Sequence, residues 1–241
     1  MAKAELKVML LRATPDPDEI VALGARLCYA QADIESLKNR VEAADQAAFV
    51  SRVMERGHLS VTEHASFTFA VEGVSRALLA QLTRHRIASF SVQSQRYVSM
   101  ADGFDFVIPP SISALGEEEE AEFIREMEQM HAWYCRWQEK LGKKGESSNE
   151  DARFVLPNAA STRLLVTMNA RELMHFFSLR CCNRAQWEIR EMAWKMLAEC
   201  RKAAPALFEH AGPACLSGPC PEGKSTCGKA GEVKARHQAM E

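Results

Sequence analysis

The run Arg84-His85-Arg86-Ile87-Ala88-Ser89-Phe90-Ser91-Val92-Gln93-Ser94-Gln95-Arg96-Tyr97 carries three arginines, one histidine and three serines in fourteen residues, with no acid among them. Guanidinium forks, hydroxyls and turn-exposed N–H groups are what phosphate recognition needs. Ser94-Gln95-Arg96 offers a hydroxyl, two backbone donors and an arginine within three residues. Cations that favour a helix C-terminus through its dipole would account for Arg84 and Arg86, but not for Ser94 and Arg96.

A second basic cluster runs from Asn169-Ala170-Arg171 through His175 to Arg180 and Arg184. On one helix Arg171 and His175 share a face, and so do Arg180 and Arg184, because residues four apart are neighbours. Like charges so placed call for an anion between them, or for acids such as Glu172 and Glu188 nearby. The third group is Gly57-His58-Leu59-Ser60-Val61-Thr62-Glu63-His64. Its two histidines and glutamate lack the helical H-E-x-x-H order, so a hydrogen-bonding loop is expected and no metal. Neither a Gly-x-Gly-x-x-Gly, nor a Walker loop, nor Gly-x-Ser-x-Gly is present, which removes support for a Rossmann cofactor site, a P-loop and a serine hydrolase.

Lys+Arg 30 against Asp+Glu 32 gives a net charge of −2, so any anion site must be local. Only Phe90 and Tyr97 interleave the basic run, which argues against a nucleic-acid-binding module using the same arginines. With no apolar run of membrane-spanning length and no signal-like segment after Lys3, a cytoplasmic protein with neither membrane nor nucleic acid as partner is expected. Of eight cysteines, Cys215, Cys220 and Cys227 look like a set. Their spacing is not a standard zinc pattern and no clear fourth ligand accompanies them, so packing or disorder is expected of this tail.

The elements that position these groups follow from periodicity. Leu6–Leu10 alternates as a strand, ended by Pro15 and Pro17 before a helix with Ile20, Val21, Leu23, Leu27 and Cys28 on one side. Asp45 is placed to cap a second helix through Phe49, Val50, Val53 and Met54, with Gly57 at a left-handed C-terminal position. Phe67, Phe69 and Val71 mark a half-buried strand, and Gly73 precedes a helix with Val74, Ala77, Leu78 and Leu82 that delivers Arg84-His85-Arg86. Phe104, Phe106 and Ile108 suggest a strand stopped by Pro109-Pro110.

From Glu117 to Leu141, Phe123, Met127, Met130, Tyr134, Trp137 and Leu141 form an apolar seam for packing on another helix. A loop over 142–149 and a short helix carrying Arg153 come next, then a strand with Leu164, Val166 and Met168. Long helices follow Asn169, with Ile189, Met192, Ala193, Met196, Leu197 and Cys200 as the buried stripe of the later one. The core ends near Phe208, so residues 1–211 form one domain and 212–241 an irregular tail. The fold class expected is α/β (α+β), with a central mixed or antiparallel sheet flanked by long helices.

Arg84-His85-Arg86, seven residues and Ser94-Gln95-Arg96 resemble the signature of the flavin-dependent thymidylate synthases: Arg-His-Arg, seven or eight residues, then Ser-x-Arg. The likeness extends through Gly57-His58, Glu63-His64, Arg153 before Leu156-Pro157, Asn169-Ala170-Arg171, and Leu179-Arg180 ahead of Gln186-Trp187-Glu188. The resemblance implies reductive methylation of dUMP to dTMP. Methylenetetrahydrofolate is then the one-carbon donor and FAD, reduced by NADPH, the hydride source, in a homotetramer whose active sites are shared between subunits.

It further implies a dUMP set of Gln81, Arg84, Gln93, Ser94, Gln95, Arg96, Arg153 and Arg180. Arg180 and Ser94 carry the catalytic positions, Arg180 facing the uracil and Ser94 acting as a phosphate-site donor rather than a nucleophile. The implied FAD set is His58, Ser60, Glu63, Arg84, His85, Arg86, Ser91, Asn169, Arg171, His175 and Arg184. Where many relatives carry Asn-Glu this chain has Ser91-Val92, so an acidic contact to the substrate is absent. His175 and Arg184 stand where other members carry Asn or His, and the tail resembles an extension found in some members.

Overall fold

Alternation builds the sheet. In Ser66–Ser75, Phe67, Phe69 and Val71 are buried between exposed Ser66 and Glu72, and in Ser161–Asn169, Leu164, Val166 and Met168 are buried beside exposed Arg163 and Leu165, a period of two. A computed structural model describing residues 1–240 places these strands at the centre of a four-stranded antiparallel sheet ordered β1-β2-β4-β3.

In chain order the elements are β1 (Lys7–Ala13), α1 (Pro17–Leu27), α2 (Ile34–Glu42), α3 (Ala47–Glu55), β2 (Ser66–Ser75), α4 (Arg76–Leu82), β3 (Ala88–Val92) and α5 (Pro110–Ser113). Then follow α6 (Glu117–Lys140), α7 (Glu146–Ala152), β4 (Ser161–Asn169), α8 (Ala170–Arg180), α9 (Trp187–Ala203), α10 (Pro205–Phe208) and α11 (Ala230–Gln238). The mixed α/β class with an antiparallel sheet agrees with expectation. β3, inside the basic run, was not anticipated: its five residues alternate half-buried and exposed, but two serines, an alanine and a valine around one phenylalanine hide the pattern.

The chain divides into two compact units. The first comprises Met1–Lys7, Val71–Arg84 and Phe90–Leu165. Its core gathers Met100, Phe104, Phe106, Ile108, Met127 and Tyr134. Phe104, Phe106 and Ile108 are buried as expected but form no strand: Phe106 makes isolated bridges to Lys3 and Ala160, so the neighbouring chain supplies one pairing residue at a time. Along α6, Met127 and Tyr134 are buried, whereas Trp137 is exposed and Gln138 takes the inner position. A straight helix drifts by about 20° per heptad from a 3.5-residue repeat, which carries Trp137 out of the seam. The helix packs on α5 and α7 of its own unit, and α7 begins at Glu146 inside the expected loop.

Gly73 lies within β2 rather than at a helix start. Its φ is +72°, and a Cβ there would stand 1.9 Å from the Glu5 carbonyl oxygen, so glycine is what lets the N-terminal segment lie against the strand. Ser75 caps α4 instead, its Oγ accepting from the Leu78 N–H at 3.1 Å.

The second unit comprises Val8–Ala70, His85–Ser89 and the chain from Val166 onward. Phe208 sits edge-on to Phe67 and Phe177, with ring centroids 5.3 and 6.1 Å away. All six residues expected to form the buried stripe of α9 are buried. α2 was not foreseen. Asp33 caps it by accepting from Ser36 N–H, and only Leu37 and Val41 are buried, too sparse an apolar pattern to stand out. Gly57 adopts the left-handed conformation expected of it, with φ +74°.

α8 ends at Arg180, so Arg184 lies in the turn beyond, and the helical pairing of Arg180 with Arg184 does not occur. The reason is Gln186, which caps α9 by accepting from the Glu188 and Ile189 N–H groups and so starts a new helix there. The tail is not wholly irregular. α11 buries Val233, and Arg236 forks onto Glu191 at 2.8 and 2.6 Å while lying 4.8 Å over the Trp194 ring. Among the described residues no helix is long and apolar enough to cross a membrane.

Candidate active-site residues

In the first unit, Ser94 makes a tight turn. Its Oγ accepts from the Arg96 N–H at 3.1 Å and the Tyr97 N–H at 3.4 Å, so of the backbone donors within Ser94-Gln95-Arg96 that of Arg96 serves the turn. Asn149 Nδ2 holds the turn from outside by donating to the Arg96 carbonyl at 3.0 Å. Asn149 is in turn part of a buried polar group with Gln138 and Tyr134. Arg96 directs Nη2 to Glu146 at 2.6 Å and Nε to Glu150 at 2.8 Å, with all three side chains roughly half exposed.

Glu150 links this turn to Arg153, whose Nε donates to the Glu150 carbonyl at 3.1 Å. Arg76 is the residue that sequence reasoning missed. Burial lowers the pKa of its guanidinium and the charge of nearby Arg153 lowers it further, so two cations face each other. A signal was available: Arg76 is the first residue of α4, the helix end that disfavours a cation. Gln81 is half-buried on α4, and Gln95 is buried. Gln93, next to Ser94 in the chain, lines a cavity of about 660 Å³ with Lys3, Lys7, Glu72 and Arg163.

In the second unit, His85 is 6% exposed between two charged partners. Its Nδ1 lies 3.1 Å from Glu172 Oε1 and its Nε2 accepts from Arg180 Nε at 3.1 Å. The acceptor role at Nε2 puts the proton on Nδ1, where the glutamate takes it as a hydrogen bond. Burial is the main force holding the imidazole below its ordinary pKa; the Glu172 bond opposes it and the Arg180 charge adds to it. A neutral His85 is the form that accepts from arginine. Both ring nitrogens are therefore engaged within the chain, and His85 orients Arg180. Arg84 and Arg86 flank it, exposed and without an ion-pair partner among the described residues.

The residues expected around FAD fall into two sets here. Glu63, in a 3₁₀ turn over Leu59–His64 where a loop was expected, pairs with Arg171 of α8. Asn169 caps α8, accepting from Glu172 N–H at 2.9 Å, and His175 packs edge-on to His85 with centroids 6.1 Å apart. Arg184 donates to the Ser225 carbonyl at 2.6 Å and pairs with Glu222 at 3.0 Å. His58 and Ser60 instead line a cavity of about 750 Å³ whose walls include Arg40, Arg52, Arg56, Tyr29 and Phe49. Those three arginines form no ion pair among the described residues, so the cavity presents cations and aromatic faces to an anionic ligand with planar rings. That donor set fits a flavin dinucleotide. Ser91 lies exposed on β3 of the first unit.

Residues 9–206 match the family described as thymidylate synthase complementing protein. The flavin-dependent thymidylate synthase of Geobacter sulfurreducens is 54% identical over 236 residues, covering 98% of this chain and 99% of its own length. The chain belongs to the flavin-dependent thymidylate synthase family. Its counterparts from Clostridium tetani and Nitratidesulfovibrio vulgaris are 47% and 48% identical, each over 95% of this chain. A crystal structure of the UMP/dUMP methylase PolB from Streptomyces cacaoi bound with 5-Br dUMP aligns with a TM-score of 0.73 at 25% identity, covering 86% of this chain and 95% of that one.

Within that family assignment, the Arg-His-Arg element of this flavin-dependent thymidylate synthase chain consists of two exposed cations around a buried histidine. Its Ser-x-Arg element is a self-capped turn whose arginine already holds carboxylates.

Proposed function

We propose that the chain methylates dUMP reductively through two separately built residue sets. Ser94, Gln95, Arg96 and Arg153, joined by Arg76, hold the nucleotide phosphate and ribose in the first unit, with Gln81 and Arg84 as further contacts. Arg180, fixed through Nε by His85, meets the uracil, where a cation beside the carbonyl and N3 edge stabilises negative charge as C5 becomes nucleophilic. The reading rests above all on the Glu172–His85–Arg180 chain. It commits a buried, neutral histidine to orienting one guanidinium, the arrangement an electrostatic catalyst needs and one that a cysteine nucleophile would make unnecessary.

His58, Ser60 and the arginine-rimmed cavity, together with Arg86, Asn169, Arg171, His175 and Arg184, hold FAD. FAD held there and reduced by NADPH would supply the hydride that completes the methyl group from methylenetetrahydrofolate, yielding dTMP and tetrahydrofolate. A homotetramer with shared active sites belongs to the same proposal, and Arg84 and Arg86, exposed and without an ion-pair partner among the described residues, are placed to serve a ligand.

Purified protein should be yellow, bleach with NADPH without oxygen and regain colour on exposure to air. It should then convert dUMP to dTMP when methylenetetrahydrofolate is supplied. A colourless protein that cannot be loaded with FAD would overturn the reading.

A further inference from the structure

The tail was expected to lack a clear fourth ligand for its three cysteines, and the structure places a fourth thiol on the cavity they line. Cys182, in the turn after α8, lines with Cys215, Cys220 and Cys227 a single small cavity of about 20 Å³. All four are free thiols. Cys182 stands two residues before Arg184, and the tail reaches back to that arginine through the Ser225 carbonyl and the Glu222 carboxylate.

The local backbone is shaped for sulfur ligands. Gly228 has φ +72°, and the turn it allows brings the Lys229 N–H to 3.4 Å from Cys227 Sγ. Gly223, three residues after Cys220, has φ +52° and turns the chain in the same manner. The volume suits one ion: a water-sized sphere needs about 10–15 Å³ on this measure, and an iron–sulfur cluster needs several times more. Among the described residues no three histidine, cysteine, aspartate or glutamate side chains already stand as a ligand set. Coordination therefore requires the four thiols to draw closer together than they stand around this cavity.

We propose that Cys182, Cys215, Cys220 and Cys227 bind one zinc ion as thiolates, forming a clasp that ties the C-terminal segment to the turn after α8 and so holds Arg184. Zinc favours four sulfur ligands in a tetrahedron about 2.3 Å away, and binding releases the four thiol protons to solvent. The net charge of such a centre is −2, and Arg184 beside it offers a compensating cation. The clasp itself does not depend on the flavin reading; only the effect expected on FAD does, since it takes Arg184 as a flavin contact.

The test uses the full chain, purified under reducing conditions without chelator and analysed for metals. About one zinc per chain is expected, with near-complete loss in a Cys220→Ser/Cys227→Ser variant and full retention in Cys135→Ser, whose thiol lies in the other unit. Cobalt added to metal-stripped protein should give the thiolate-to-cobalt charge-transfer absorption of a tetrahedral sulfur site, a readout that needs no variant to fold. Wild-type protein that contains no zinc and takes up neither zinc nor cobalt would overturn the site, as would undiminished zinc in the double variant. Bound iron with acid-labile sulfide would overturn the single-ion assignment. Loss of zinc should weaken FAD binding severalfold; zinc lost with FAD affinity unchanged would overturn the clasp's hold on Arg184 and leave the flavin reading standing.

Discussion

Two substitutions at His85 separate its two bonds. Asparagine puts an amide nitrogen near the Nδ1 position, keeping a donor for Glu172 while withdrawing the acceptor from Arg180. Glutamine puts an oxygen near Nε2, keeping the acceptor while withdrawing the donor. Each bond is 3.1 Å long and has a charged partner, a class that contributes roughly 1.5–3 kcal/mol. At 1.36 kcal/mol per factor of ten, His85→Asn should lower kcat/KM for dUMP by about 10- to 100-fold, and His85→Gln far less. Glu172 is 7% exposed, so in His85→Gln a nearly buried carboxylate loses a donor, which costs roughly 1–3 kcal/mol of stability. For a chain of this size each kcal/mol lowers Tm by about 2–4 °C. Steady-state rates with dUMP varied at saturating methylenetetrahydrofolate, together with thermal unfolding and FAD content, read both effects. Equal catalytic losses in the two variants, or wild-type kcat/KM in His85→Asn, would refute the assignment of His85 as the anchor of Arg180.

Other consequences are as direct. His85 has its pKa lowered from 6.5, so below about that pH the unfolded chain binds the proton that the folded chain refuses. Stability should therefore fall as pH drops from about 6.5 toward the lowered value and level off beneath it; thermal scans across that window should show this slope in the wild type and its loss in His85→Gln. Arg96 is held by two half-exposed carboxylates, and such pairs are worth about 0–1 kcal/mol each. Glu146→Gln with Glu150→Gln should thus tighten dUMP binding by up to about thirtyfold by calorimetry, and weaker binding would show that the carboxylates orient Arg96 instead of competing for it. Gly73→Ala places a Cβ 1.9 Å from the Glu5 carbonyl at φ +72°, so its denaturation midpoint should fall sharply, with a cost of roughly 1–3 kcal/mol from conformation alone. A wild-type midpoint would mean that the N-terminal segment is not packed there.

What could be read in the sequence divides along physical lines. Elements that bury one face under a clear period were visible: β2 and β4 through alternation, α9 through its stripe of six buried residues. Elements stabilised by caps and context were not. α2 rests on Asp33 and two buried residues, and β3 is written in serines because its outward side chains face away from the core. The candidate site showed the same limit. Spacing identified Arg84, His85, Arg86, Ser94 and Arg96 as a set, but could not say that His85 would turn inward and spend both nitrogens on Glu172 and Arg180. That outcome depends on which residues of α8 stand opposite, a long-range fact that no local window contains. The fourth thiol is the same kind of fact, since Cys182 and Cys227 are 45 positions apart in the chain.

Arg96 and Arg180 carry the same charge yet are held in opposite ways, and the difference matches the roles proposed for them, phosphate binding for Arg96 and charge stabilisation at the uracil for Arg180. A phosphate must be bound and released in every turnover, so its cation does best in an exposed pair that exchanges partners for little energy; Arg96 sits about half exposed between Glu146 and Glu150, in pairs of that strength. A cation that stabilises charge developing on a ring gains nothing from mobility, because any rearrangement at the moment of reaction adds to the barrier. Arg180 is anchored through Nε to a buried imidazole, itself anchored by a buried carboxylate. Lysine at position 180 keeps the charge but has no planar Nε–H for His85 Nε2. Arg180→Lys should therefore cost kcat more than it costs dUMP binding, whereas Arg96→Lys should raise KM and leave kcat nearly unchanged. The reverse pattern would show that the anchored arginine serves binding and the exchangeable one chemistry.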